Sequence, residues 1–174
     1  MKWMDATTIT ELSKIDSRVY VYLSTEAYAR KFLQQAETEG FKYRDGTFPT
    51  KREAASVMAV NSDHTLNYVG MNGMAAFGSG AQSVGGRRLL RVAYRGQSGM
   101  QMNTKFLHLG SVDEMQAYEA YFNAIVRYLM ASSWHYSEKA AEDLTQMRED
   151  YVIEAFLSKE PIEDAAVEVG YCCG

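Results

Sequence analysis

The run Arg18-Val19-Tyr20-Val21-Tyr22-Leu23, continuing through Ser24-Thr25-Glu26 to Gly40, decides the fold class. Val19, Val21 and Leu23 alternate with Tyr20 and Tyr22, the two-residue period of a strand built from β-branched and aromatic residues. Ser24 then stands where an N-cap belongs, and Glu26 favours the positive end of a following helix. Ala29, Phe32, Leu33 and Ala36 recur at helical spacing. The reading is a strand feeding a helix over 25–39 that packs on a sheet, closed by Gly40 and Phe41 as a Schellman-type stop.

Strand signals continue on the C-terminal side. Ser56–Val60 and Thr65–Val69 flank the polar loop Asn61–His64, which predicts a hairpin. Asp45-Gly46 marks a turn, and Met74–Phe77 reads as a short strand. Gly78–Gly86 reads as a flexible loop, Arg88–Tyr94 and Lys105–Leu109 as strands, and Gln97–Gly99 as a turn. Residues 1–110 are therefore expected to form an α+β domain, a mostly antiparallel sheet with one packed helix.

After Gly110 the period changes. Ser111-Val-Asp-Glu114 has the pattern of a capping box. Met115, Tyr118, Phe122, Ile125 and Leu129 follow at three-to-four spacing, one buried stripe of a helix. Ser132-Ser133 breaks it. A second helix is expected over about 137–158, burying Ala140, Leu144, Met147, Tyr151 and Ala155. Pro161 suits the first turn of a third helix that stops at Gly170. Residues 111–174 thus read as a C-terminal segment of about three helices packed on the sheet domain. Nine of the 13 glycines lie between Gly70 and Gly110, and none between Gly110 and Gly170.

Composition narrows the class. The chain has 174 residues, 47% apolar and 23% charged, enough to bury a core and too apolar for wholesale disorder. No apolar run reaches the length of a membrane span, and Met1–Ala6 lacks the apolar stretch of a secretory signal. The two cysteines, Cys172 and Cys173, are adjacent and offer no disulfide framework, so a reduced cytoplasmic setting is the simpler expectation.

Charge is divided unevenly. Residues 1–110 hold 14 Lys/Arg against 9 Asp/Glu, whereas 111–174 hold 4 against 13. A net of −4 thus conceals halves of +5 and −9, an asymmetry that bears on partners rather than on fold.

Motifs of catalysis are missing. Gly80-x-x-x-x-Gly85-Gly86-Arg87 lacks the lysine and hydroxyl of a phosphate-binding P-loop, and Gly78-Ser-Gly80 lacks the third glycine of a dinucleotide fingerprint. His64, His108 and His135 have no metal-ligand spacing, and no catalytic residue, metal or cofactor is expected. Two charge patterns remain. Arg87, Arg91 and Arg95 share a strand parity and would stand about 13 Å apart, a stripe able to track a nucleic-acid backbone or to guard a sheet face. Glu142, Asp143, Glu149, Asp150 and Glu154 fall opposite the buried stripe of the 137–158 helix. That face serves solubility, or else mimics phosphates and occupies a basic nucleic-acid-binding cleft.

Two resemblances follow. Pro161–Tyr171, with Ala166 and Gly170 four apart, resembles the first helix and turn of a helix-turn-helix unit, though Gly174 comes where a recognition helix would begin. A short chain without catalytic motifs and with an acidic helical end resembles in character the accessory proteins of phages and mobile elements, and among them the anti-CRISPR inhibitors of RNA-guided nucleases. The resemblance implies a stoichiometric protein inhibitor whose partner is a CRISPR nuclease with a basic DNA-binding channel, and it transfers no residue. The arginine stripe implies the alternative, a small nucleic-acid-binding or regulatory module. Opposite charges on one chain also allow pairing between copies as a homo-oligomer.

Overall fold

The computed structural model describes residues 1–97 and 103–171. They fall into two units, a sheet unit of Lys2–Gln97 and Asn103–Val112 and a helical unit that begins at Asp113. The expected turn at Gln97–Gly99 lies largely outside the described residues, and Cys172 and Cys173 lie wholly outside them.

The alternation at 18–23 produces the central strand of the sheet unit. In chain order the strands are β1 (Lys2–Trp3), β2 (Arg18–Tyr22), β3 (Lys42–Tyr43), β4 (Val57–Val60), β5 (Thr65–Tyr68), β6 (Ser83–Val84), β7 (Arg87–Gln97) and β8 (Thr104–His108). They assemble in the order β1-β8-β7-β2-β4-β5-β3, with β6 paired to β7. The class is α+β, as the sequence implies. The sheet is mixed, however: β2 runs antiparallel to β4 but parallel to β7, and β3 runs parallel to β5. Tight turns can join only antiparallel neighbours, whereas the long, partly helical segment between β2 and β7 lets those two strands align.

Among the described residues the sheet unit holds three α-helices rather than one: α1 (Ile9–Ser13), α2 (Glu26–Thr38) and α3 (Met71–Ser79). Phe32, Leu33 and Ala36 of α2 join Ile9 and Leu12 of α1 over Val21, Met58, Val92 and Phe106. Thr25 rather than Ser24 caps α2, its hydroxyl accepting from the Tyr28 amide at 3.1 Å. The stop is as read: the Phe41 amide donates to the Ala36 carbonyl and the Gly40 amide to Glu37, the Schellman pair.

Met74–Phe77 is not a strand but the middle of α3. A short apolar run fits either element, and here Gly73 and Phe77, four apart, face the sheet while Met71 stays 90% exposed. A Cβ on Gly73 would stand 2.9 Å from the Tyr20 hydroxyl, so the glycine sets the approach of α3 to β2. The expected loop at 78–86 is also structured. β6 and β7 form a hairpin closed by Gly85 and Gly86, both at positive φ (59° and 77°), the conformation a two-residue primed turn requires.

The helical unit contains α4 (Val112–Ala131), α5 (Glu138–Met147), α6 (Glu149–Leu157) and α7 (Ile162–Tyr171). α4 buries Met115, Tyr118, Phe122, Ile125 and Leu129, the stripe read from the sequence, with Val126 beside it. The single helix expected over 137–158 is two. Arg148 leaves helical geometry (φ −106°, ψ 21°), and its amide closes a tight turn on Thr145. A new helical ladder then starts from the Arg148 carbonyl to the Val152 amide. α5 buries Ala141, Leu144 and Thr145 and leaves Ala140 and Met147 exposed; after the break the phase is reset, so Tyr151 is half-buried while Val152, Ile153 and Ala155 fill the interior.

Candidate partner-binding surface

Of the five carboxylates expected on one helix face, four are at the surface. Glu142 and Asp143 project from α5, Asp150 and Glu154 from α6. Glu149 does not: it is 2% exposed, and its carboxylate accepts a hydrogen bond from the Tyr118 hydroxyl at 2.9 Å. The break at Arg148 is the reason. It makes Glu149 the first residue of α6 and turns it inward, at the helix end whose dipole favours a negative charge.

The remaining acids are stacked. Glu138 and Glu142, Asp150 and Glu154, and Asp164 and Glu168 are each four residues apart on one helix and exposed. Such like-charge pairs oppose helix formation by a few tenths of a kcal/mol each, roughly 0.2–0.5. Lys139 reaches Asp143 at 3.5 Å and Arg148 reaches Glu168 at 3.8 Å, both on the surface and weak. Glu142 and Glu154 make no ion pair among the described residues. Glu160 is held differently: its carboxylate accepts from the Tyr151 hydroxyl at 2.9 Å and its carbonyl from Tyr121 at 3.0 Å. Burial, reinforced by that carboxylate, pushes the Tyr151 phenol well above its ordinary pKa.

The arginine stripe is not at the surface. Arg87 is exposed, but Arg91 is 6% and Arg95 5% exposed. Arg91 Nε donates to the Phe77 carbonyl at 3.0 Å, and its Nη2 to Ala76 and Ala81 at 2.8 and 2.6 Å. Ala76 and Phe77 lie in the last turn of α3 and Ala81 just beyond its end, so the guanidinium caps the helix C-terminus and faces the negative end of its dipole. Burial lowers the Arg91 pKa. Arg95 falls at a β-bulge between Tyr94 and Gly96, which breaks the parity, and its guanidinium lies 5.7 Å over the Tyr28 ring of α2. One arginine thus turns to α3 and the other to α2. Shared parity on this strand does not make a cationic stripe, because helices cover both faces of the sheet.

Two hollows in the sheet unit carried no sequence signal. One is a groove of about 820 Å³ between the start of α2 (Thr25, Ala29, Leu33) and the segment Thr50–Ser56. Glu37 pins this segment by accepting from the Thr50 amide (2.9 Å) and hydroxyl (2.5 Å), which holds its carboxyl below the ordinary range. The other, about 220 Å³, gathers Arg18, Arg44 and Arg87. Only three-dimensional pairing brings those residues together, since they lie far apart in the chain.

Other candidates are structural. His64 adopts positive φ in its hairpin loop and stacks on Phe41 at 4.5 Å. In α7, Ala165, Ala166, Val169 and Gly170 are buried, and the Trp134 ring occupies the space a Cβ on Gly170 would need, 2.6 Å away. The spacing that resembles a helix-turn-helix thus continues as helix to Tyr171, with the glycine admitting an indole. Among the described residues, no three His, Cys, Asp or Glu come together where they could hold a metal ion, and no helix is long and apolar enough to cross a membrane. No family model, curated protein or solved structure matches the chain, so its surfaces are read from their own geometry.

Proposed function

We propose that the helical unit is a protein-binding surface that offers carboxylates to the basic cleft of a nucleic-acid-processing enzyme and blocks it stoichiometrically. The partner class is an RNA-guided CRISPR nuclease, and the chain acts as a phage or mobile-element inhibitor that mimics DNA phosphates. One observation carries the reading: α5, α6 and α7 each present two exposed carboxylates four residues apart, close enough to repel one another and to attract a cationic partner. A cleft lined by arginines relieves that repulsion through charge-assisted pairs and speeds encounter by long-range attraction.

The surface consists of Glu142, Asp143, Asp150 and Glu154, with Glu149 left out because it is buried. The test is DNA cleavage by a purified RNA-guided nuclease with increasing amounts of the chain. Cleavage should fall to zero near one equivalent, and inhibition should weaken as salt rises. Converting the four acids together to lysine should abolish inhibition while the circular dichroism spectrum is retained. Arg87→Ala should leave it intact. Full inhibition by the fourfold variant, or no inhibition by the natural chain, defeats the reading.

A further inference from the structure

At one end of the sheet the strand directions gather cations instead. β2 and β7 run parallel and β4 antiparallel to β2, so the beginnings of two strands meet the end of a third. Arg18 opens β2, Arg87 opens β7, and Arg44 follows β3. With Asn61, Ser62 and Asp63 of the hairpin loop they line the 220 Å³ pocket.

The donors there are largely unspent. Arg18 Nε is buried with no hydrogen-bond partner among the described residues. Among the described residues Arg87's side chain has only long contacts, 3.8 Å to Asp16 and 3.5 Å to the Ser17 carbonyl. Arg44 makes no hydrogen bond among the described residues and acts on Asp63 through its charge alone. Asp63 is the one carboxylate in the lining, and its Oδ1 is already taken by the Thr65 amide (3.2 Å) and hydroxyl (2.5 Å). Those Thr65 bonds, more than Arg44, hold its carboxyl below the ordinary range. Gly85 completes the arrangement, since a Cβ there would stand 3.4 Å from Arg18 Nη2.

We propose that this pocket binds a phosphate monoester. Three guanidiniums face Asp63, which is committed to Thr65, and Asp16, which only Arg87 reaches and at 3.8 Å, so positive charge remains in excess and favours an anion. Each guanidinium presents a planar fork of N–H donors matched to two oxygens of a tetrahedral anion. The volume admits a phosphate with its ester oxygen and leaves no room for a duplex. The source is a small phosphorylated metabolite or the 5′ end of a nucleic-acid strand, and both present the same group.

The test titrates the full chain by calorimetry with inorganic phosphate, a 5′-mononucleotide, and one short single-stranded oligonucleotide carrying either a 5′ phosphate or a 5′ hydroxyl. Inorganic phosphate should bind saturably, and Arg44→Gln and Arg87→Gln should each weaken it about tenfold or more. Both side chains are exposed, so neither variant endangers the fold. Binding of the 5′-phosphorylated strand assigns the site to strand ends. Binding of the mononucleotide without the strand assigns it to small metabolites. The fourfold lysine variant of the acidic helices should leave all titrations unchanged, which keeps the two surfaces distinguishable. The proposal is overturned by no saturable phosphate binding, by binding that both arginine variants retain, or by equal binding of the 5′-hydroxyl strand.

Discussion

The sheet unit turns Arg91 and Arg95 inward, onto its own backbone and an aromatic ring, whereas the helical unit leaves most of its carboxylates in solvent. The difference follows from how each unit is covered. A sheet packed on both faces offers no outward side to its central strands, so a cation on β7 must find partners inside. A helix keeps one face wet by geometry, and its charges stay available unless the helix breaks. Glu149 is the exception that proves the mechanism: at the break it becomes a buried acceptor for Tyr118.

Arg91 tests the first half of this contrast with the largest effect. Replacing it with Met fills much of the space but removes three charge-assisted bonds to the carbonyls of Ala76, Phe77 and Ala81. Bonds from charged donors contribute roughly 1.5–3 kcal/mol each, and partial resolvation of the carbonyls offsets part of the sum, so a loss of about 3 kcal/mol is expected. It should appear as a lower urea midpoint at unchanged slope. Arg87→Met, on the same strand and exposed, should move the midpoint by less than about 0.5 kcal/mol. Equal effects for the two arginines would erase the distinction.

Glu149 and Glu142 make the matching pair in the helical unit. Glu149→Ala removes a buried acceptor of the Tyr118 hydroxyl and leaves a small void, an expected cost of about 1–3 kcal/mol. Glu142→Ala relieves repulsion with Glu138 and should be neutral or stabilising by a few tenths, on the order of 0.3 kcal/mol. Chemical denaturation of both variants decides the matter. A large loss at Glu142 would mean that the exposed face is part of the framework and not a surface held in reserve.

These contrasts also mark what is legible in one sequence. The strand at 18–22, the helix after it and its stop at Gly40 follow from local rules, and so does the α4 stripe, because period and capping act over a few residues. The 57–68 hairpin is legible for the same reason. Met74–Phe77 is not, since four apolar residues fit strand or helix and only the fit of Gly73 under the Tyr20 hydroxyl decides. The break at Arg148 has no glycine or proline to announce it, and missing it misplaces Glu149 and Tyr151 together. The pocket of Arg18, Arg44 and Arg87 is beyond local reading altogether: it exists because β2 and β7 are parallel neighbours, a pairing that no adjacent residues encode.

The smallest effect expected concerns charges that are exposed yet engaged, which separates the sheet unit's surface from the stacked acids of the helices. Asp45 accepts from Thr47 and pairs with Arg52, and its carboxyl is lowered from 3.8 to about 2, the Thr47 hydroxyl being the largest cause. Glu37 is lowered by the Thr50 hydroxyl and amide at the groove. A carboxyl held lower in the folded chain than in the unfolded one stabilises the fold above its ordinary value. That contribution is lost as the pH falls through the folded value, here from about 4 down to about 2. The amide signals of Thr47 and Thr50 should therefore follow titrations with midpoints below the ordinary carboxylate range. Thr47→Val and Thr50→Val should raise the Asp45 and Glu37 midpoints, respectively, while added salt moves them little, because hydrogen bonds dominate the shift and screening acts only on the charge of Arg52 or Lys51. Midpoints that rise with salt as much as with valine would make these acids ordinary surface charges, no different in kind from those on the helices.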